Sequence, residues 1–312
     1  MNTRAPKVSI GLPVWNGERY LAGALECLLE QDHEDFELIV SDNASSDATE
    51  SICRDYAAKD PRIRYSRNET NIGAAANYNR VFRLARGPFF KWASHDDQCH
   101  PSLVRRCLET LEQVGPSAVL AFSKAEIIDE LGRVMLPSPD GPSSASPWAF
   151  KRLARVVWSS RFAHPLWGVI RSDALRRTRL MGCIEADHVL LGELALLGEL
   201  IEIPEVLHRL RLHPGSSSQS HLTGHQLLAW HDPRWASARI LLPSWARFYV
   251  EYSKGIGHMP LSPLERLLCL CTPPAVLYWR WLLRWTGPFR HRCGLHRNKS
   301  PRHYTRSPLV NS

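Results

Sequence analysis

The sequence predicts an α/β fold, a mostly parallel sheet flanked by helices, and three observations carry that prediction. Short apolar runs recur at residues 8–12, 36–40 and 89–93. The segments between them carry apolar residues at helical spacing, and strands alternating with helices at this interval give a parallel sheet. Apolar residues make up 44% of the 312. That is ample for one large domain with an appendage.

Taken in order, residues 8–12 form a buried strand that Pro13-Val14-Trp15-Asn16-Gly17 breaks. Leu21, Ala24, Leu25, Leu28 and Leu29 then share one face of a helix over 19–30. The second strand, 36–40, closes on Ser41-Asp42-Asn43, and Ser46 or Asp47 caps a helix to about residue 58. A shorter strand follows at 62–65, a turn at Asn71-Ile72-Gly73, a helix at 74–84 and the strand at 89–93. A helix over 102–112 leads to a strand at 118–122. Beyond it the alternation weakens to a Pro/Ser/Gly-rich loop at 137–148, a strand at 167–170, a helix at 187–197 and a short extended stretch at 201–204.

The last third differs in composition. Nine of the 39 Lys and Arg lie from Arg266 onward, where there is no Asp or Glu, so the remaining 30 basic residues stand against 31 acidic ones. The net charge of +8 is therefore a C-terminal property. The main domain has no basic groove to expect, and no nucleic-acid partner follows. Residues 230–245 are amphipathic and aromatic, and residues 264–285 are apolar but interrupted by Arg266, Arg280, Arg284 and Pro273-Pro274. A spanning helix is not expected there. Two readings stand: a segment lying on a membrane surface, or an ordinary amphipathic helix packed on the domain. The tail from about residue 291 is basic and expected to be disordered. The eight cysteines form no Cys-x-x-Cys pair and residues 1–6 are polar. Reduced thiols, no zinc site and a cytoplasmic location are expected.

Chemistry concentrates at strand ends. The strand at 89–93 runs into Ser94-His95-Asp96-Asp97. Adjacent carboxylates repel unless a cation neutralises them, and ligands of open α/β sheets sit beyond the carboxyl ends of strands. The pair either meets a metal–diphosphate complex or caps the helix starting near Pro101. Pro13, Val14, Trp15, Asn16 and Glu18 occupy the turn after the first strand. There Trp15 is either a wall for a base or ribose or simply buried. Asp42 either accepts a hydrogen bond from a base N–H or sugar hydroxyl, or caps the next turn. In the stretch 208–213, alternation places Arg209, Arg211 and His213 on one strand face. That face either meets a diphosphate or is solvated. The Gly/Ser run at 215–218 supplies flexibility for closure.

These segments together resemble a family 2 glycosyltransferase with the GT-A fold. The resemblance rests on VSIGLPVWN (8–16), FELIVSDNASSDAT (36–49), Asn71-Ile72-Gly73, WASHDD (92–97) and Glu185-Ala186-Asp187, and covers roughly residues 7–215. It implies that Pro13 and Asp42 contact the nucleotide base, that Asp96 lies near the ribose and diphosphate, that Asp97 binds the metal and that Asp187 is the general base. Asn71, Gly73, Arg209 and Arg211 join the expected nucleotide-sugar site, Asp96 and His213 join Asp97 as metal ligands, and Glu185 is the second candidate base. Two positions depart from the family pattern. Ser94 stands where an Asp is frequent, and Ser41 stands where the second strand commonly ends Asp-Asp.

The implied activity is inverting transfer of a sugar from a nucleoside-diphosphate donor, UDP first, to an acceptor hydroxyl. The implied setting is polysaccharide or glycolipid synthesis at the inner face of the membrane. A divalent cation, Mg²⁺ or Mn²⁺, would neutralise the departing diphosphate. A nucleotidyltransferase and a catalytically degenerate sugar-nucleotide-binding module are the alternatives. The expected domains are a glycosyltransferase domain at 1–215 (nucleotide half about 7–125, acceptor half about 126–215), a helical aromatic extension at 216–290 and the basic tail at 291–312.

Overall fold

A computed structural model describes residues 4–137, 140–159, 163–183, 186–216, 226, 230–231, 233 and 243–292. Most of the amphipathic, aromatic segment at 230–245, half of the Gly/Ser run, Glu185 and nearly all of the basic tail lie outside these described residues.

The α/β expectation holds. The elements run β1 (Val8–Val14), α1 (Leu21–Leu29), β2 (Phe36–Asp42), α2 (Thr49–Lys59), β3 (Ile63–Arg67), α3 (Ala74–Arg83) and β4 (Phe89–Trp92). They continue with β5 (Gln98–Cys99), α4 (Leu103–Val114), β6 (Ala118–Ile128), β7 (Val134–Pro137), α5 (Ala149–Trp158), a 3₁₀ turn (His164–Trp167) and β8 (Val169–Arg171). The rest are α6 (Ser172–Arg176), α7 (Ala186–Leu197), β9 (Glu199–Arg211), α8 (Ser244–His258) and α9 (Pro263–Arg292). The sheet order is β3-β2-β1-β4-β8-β6-β9-β5, with β7 on β6. Strands β3, β2, β1 and β4 are all parallel, so their carboxyl ends open on one edge. Beyond β4, β8 enters antiparallel and β6 pairs with β9 in parallel.

Burial explains why the first strands read so plainly. Every residue of β1, β2 and β4 is buried, and strands covered on both faces read as continuous apolar runs. One face packs Leu21, Leu25, Leu28, Val104, Cys107 and Leu111 from α1 and α4. The other packs Val81 and Phe82 of α3 and Leu190, Leu191 and Leu194 of α7. A third cluster joins α5, α8 and α9 through Leu153, Val157, Tyr252, Ile256 and Cys269.

The structure adds to the sequence expectations at three places. The extended stretch at 201–204 is the middle of the 13-residue β9. The segment 149–158, not assigned from sequence, is α5. The Pro273-Pro274 pair does not end the C-terminal helix, which spans 30 residues. Arg266 and Arg280 of that helix turn inward and donate to the carbonyls of Met259 (3.1 Å) and Val157 (3.1 Å). Among the described residues no helix is long and apolar enough to cross a membrane.

Candidate active site at the carboxyl ends of the parallel strands

The Asp96-Asp97 pair does not cap α4, where Gln31 Oε1 accepts the first-turn Val104 N–H (3.1 Å). Both carboxylates are buried and face the end of β9. Asp97 Oδ1 accepts the Arg211 backbone N–H (2.9 Å), and Asp97 Oδ2 lies 3.3 Å from His208 Nε2. Asp96 Oδ2 lies 3.0 Å from His213 Nε2, and the Ser94 hydroxyl bonds its other oxygen. The length of β9 makes this possible. Two-residue β5, directly after Asp97, pairs antiparallel with it, setting Gln98 opposite Arg209 and Cys99 opposite His208. Burial works to raise the Asp96 pKa. The charge of His95, the Ser94 hydroxyl and His213 outweigh it, so the carboxyl sits below its ordinary value. Ser94, which replaces a carboxylate of the family pattern, thus becomes a donor to the pair.

The basic face expected from β9 is not what forms. Arg209 turns to Glu126 (3.3 Å), its cross-strand partner. The Arg211 guanidinium donates to the carbonyls of Asp96 (2.8 Å), Asp129 and Glu130 (3.1 Å each) and lies over Tyr20 at 4.8 Å. It is a strut for the Asp96 loop, with its donors committed to backbone. His213 lies beyond the strand, its ring 4.8 Å from Tyr20. His208, on the face the sequence reading set aside, is the residue that reaches Asp97.

The loops after β1 and β2 are stitched together. Asn16 Oδ1 accepts Ser46 N–H (2.9 Å), and Asn16 N–H donates to Ser45 Oγ (2.9 Å). Glu18 accepts Ala48 N–H (2.9 Å), while Asp47 accepts Glu18 N–H (3.1 Å). Gly17 is required where this loop crosses His95, since a Cβ there would lie 2.8 Å from the imidazole. Pro13 and Val14 are buried, whereas Trp15 is 44% exposed and stands open at the edge. Asp42 is 0% exposed. Its carboxylate takes Ser45 N–H (2.9 Å), Tyr65 OH (3.0 Å) and Arg67 (3.3 Å). Asn43 beside it heads a side-chain amide network that the sequence reading missed. It donates to Asn71 Oδ1 (2.8 Å), accepts from Asn68 (3.0 Å) and Ile72 N–H (3.0 Å), and Asn68 continues to Asn77 (3.2 Å). Gly73, with φ of 87°, makes the left-handed entry into α3.

Asp187 lies in the first turn of α7, half-buried. Burial raises the pKa of Tyr78 of α3, and the charges of Asp96, Asp97 and Asp187 each add to the rise. A second chain of contacts stabilises His208. Lys91, 1% exposed in β4, donates to the Trp167 carbonyl (2.7 Å), and the Trp167 ring stacks on His208 at 6.4 Å. Burial pushes the Lys91 pKa down. No pattern in the sequence marks Tyr78, Trp167 or Lys91, because each acts through a neighbour on another element.

The donor set fits a divalent cation held jointly with a phosphate. Among the described residues no three His, Cys, Asp or Glu side chains form a ready metal cage. Carboxylate oxygens and a neutral imidazole suit Mg²⁺ or Mn²⁺ when phosphate and water complete the shell. His208 Nδ1 is buried with no hydrogen-bond partner among the described residues. The polar end of this site is thus not satisfied by the protein alone.

The family model described as Glycosyl transferase family 2 matches residues 9–179. An uncharacterized glycosyltransferase of Rickettsia typhi is 34% identical over 130 residues, 41% of this chain and 39% of that protein. The putative colanic acid biosynthesis glycosyl transferase WcaA of Escherichia coli K12 is 31% identical over 115 residues, 37% of this chain and 41% of its own. The chain thus matches about two fifths of either relative's length. In fold it is similar to S. aureus TarS 1-349, solved in complex with UDP-GlcNAc, with a TM-score of 0.60 at 19% identity, covering 85% of this chain and 70% of that one.

Proposed function

Since the chain belongs to glycosyl transferase family 2, we propose that it moves a sugar from a nucleoside-diphosphate donor to an acceptor hydroxyl with inversion at the anomeric carbon. One observation carries this reading. Just past the carboxyl end of β4, the buried carboxylates of Asp96 and Asp97 are braced by His208 and Arg211 of β9 and by His213. Asp97, Asp96 and His213 would hold a divalent cation, and when bound it would neutralise charge developing on the diphosphate.

The remaining work falls to the chain's own groups. Trp15 offers an exposed ring for the base, and the Asn43–Asn71 amide pair holds the loop before α3 in place. Arg211 fixes the Asp96 backbone, and His208 orients Asp97. Asp187 takes the acceptor proton as the hydroxyl attacks, a contribution of about 10²–10⁴ in rate. UDP is the first donor to test, since TarS was solved with UDP-GlcNAc. Polysaccharide synthesis is the setting suggested by the name of WcaA.

The domain reading is a nucleotide half to about residue 125, an acceptor half to about 215, and a helical extension beyond. The extension is the part we assign to the inner membrane face. Leu264 (66% exposed), Leu267, Leu268, Cys271, Tyr278 and Trp279 (54% exposed) recur at helical spacing on one uncovered side of α9. An apolar, Trp-bearing stripe beside a segment with basic but no acidic side chains suits an anionic lipid surface. A glycolipid acceptor would be met there.

A panel of nucleotide sugars with Mn²⁺, followed by nucleoside-diphosphate release, tests the proposal. Release from one donor supports it. Release of pyrophosphate instead would assign the chain to nucleotidyl transfer.

A further inference from the structure

Cys27 of α1 and Cys99 of β5 are 72 residues apart in sequence, yet their sulfurs lie 3.5 Å from each other. Both are half-buried, so a small oxidant can reach them. Gln31 fixes the pair. Its side-chain amide donates to the Cys27 carbonyl (3.1 Å), the Cys99 sulfur (3.4 Å) and the His100 carbonyl (2.9 Å). The other cysteines have no such neighbour among the described residues.

The consequence comes from what β5 carries. Cys99 is two residues beyond Asp97 and pairs with His208, whose ring meets the Asp97 carboxylate. A disulfide needs its sulfurs about 2.05 Å apart, so closing this pair brings the sulfurs together by roughly 1.5 Å, a shift shared between side-chain rotation and movement of α1 and β5. The Asp97 contacts with Arg211 and His208 lie on that moving segment. Packed interiors transmit such shifts rather than absorb them.

We propose that Cys27 and Cys99 form an oxidisable dithiol site whose disulfide disturbs the Asp96-Asp97 loop. The oxidant is a peroxide. One thiolate attacks a peroxide oxygen, an S–O bond forms, the O–O bond breaks and water leaves. The second thiol attacks that sulfur, an S–S bond forms and the S–O bond breaks, releasing a second water. The two sulfurs lose two electrons and both thiol protons end in water. A dithiol reductant reverses the step by exchange. The chemistry of the pair stands on its geometry alone, while its effect on the site rests on the function proposed above.

The test uses the full chain, the C27S and C99S variants, hydrogen peroxide, and UDP with Mn²⁺ as the probe. After oxidation and alkylation, tryptic mapping without reductant should recover the 20–54 peptide joined to the 92–105 peptide. Dithiothreitol should dissolve that link. Cys53 shares the first peptide, so C27S must abolish the link if the assignment is right. Mn²⁺-dependent UDP affinity should fall at least tenfold on oxidation of the wild type, recover on reduction, and stay unchanged in C27S and C99S. Separately alkylated Cys27 and Cys99 after oxidation would overturn the site. A formed link with unchanged UDP affinity would overturn the coupling. If UDP binds neither form, the functional reading fails, and the mapping still decides the dithiol.

Discussion

Buried carboxylates stand at both ends of the parallel strands, and the protein treats the two ends differently. At the amino end Glu37, beside Ser9 of β1, accepts from the Ser9 hydroxyl (2.7 Å), from Arg64 (2.6 Å), and from Arg86 through both its backbone N–H (2.9 Å) and Nε (2.9 Å). Every lone pair has a permanent donor. At the carboxyl end Asp96 and Asp97 have two imidazoles, a hydroxyl and one backbone N–H. Guanidinium groups stay charged at any working pH, whereas imidazoles give up their proton near neutrality and can serve as ligands. A carboxylate saturated by arginine is a structural clamp. One held by histidine remains able to take a cation. Asp42, at the carboxyl end of β2, also has an arginine partner, Arg67, beside Tyr65.

The comparison can be broken at several points. The largest effect is expected from Asp187→Asn, which should lower kcat by about 10²–10⁴ while leaving UDP affinity within twofold in calorimetric titration. Loss of donor binding together with kcat would remove Asp187 from the base role. Asp97→Asn should cost about 10²–10³ in turnover and abolish the Mn²⁺ dependence of UDP binding. Retained Mn²⁺ dependence would place the cation elsewhere. His208→Gln removes an orienting contact only. It should weaken Mn²⁺-dependent UDP binding by about 10–100-fold with kcat at saturation little changed.

At the opposite end Glu37→Gln should leave turnover per folded molecule intact. It should destabilise the fold by about 1–3 kcal/mol, read from urea unfolding. The sign of its pH dependence follows from the clamp. Burial works to raise the Glu37 pKa, but Ser9, Arg86 and Arg64 outweigh it and hold the carboxyl below its ordinary value of 4.5. Its stabilising contribution is therefore complete above that value and is lost as pH falls through the depressed one. The stability gap between wild type and Glu37→Gln should be constant near neutrality and close on acidification. A gap that widens in acid would contradict the clamp. The smallest effect concerns the extension. Replacing Leu267 and Trp279 by Ser should reduce co-sedimentation with anionic liposomes several-fold without changing turnover on a soluble acceptor. Unchanged co-sedimentation would move the membrane face off α9.

The same comparison shows what the sequence made legible. Strands β1, β2 and β4 are buried on both faces, so their apolar runs and the acidic groups ending them stand out. Strand β9 alternates, carries Glu202, Glu205 and Arg209 among its apolar residues and contains Pro204. Its length follows from pairing with β6 and β5, which local pattern does not encode. At 208–213 alternation groups Arg209 with Arg211, but β5 decides which side chain meets Asp97. Helix α5 did carry a readable signal, since Ala149, Leu153, Val156 and Val157 repeat at helical spacing. Asp42 was legible as a strand-end carboxylate, but its partners Tyr65 and Arg67 were not, because they arrive from β3. Tyr78, Lys91 and Trp167 had no signature, being ordinary core residue types until the fold sets them beside His208 and the Asp pair.

The most direct test of the central claim is anomalous diffraction from crystals of the protein grown with Mn²⁺ and UDP. The account predicts a manganese peak bonded to the Asp97 carboxylate and to the diphosphate together. UDP bound with its manganese away from Asp97, or bound with no manganese peak at all, would contradict it.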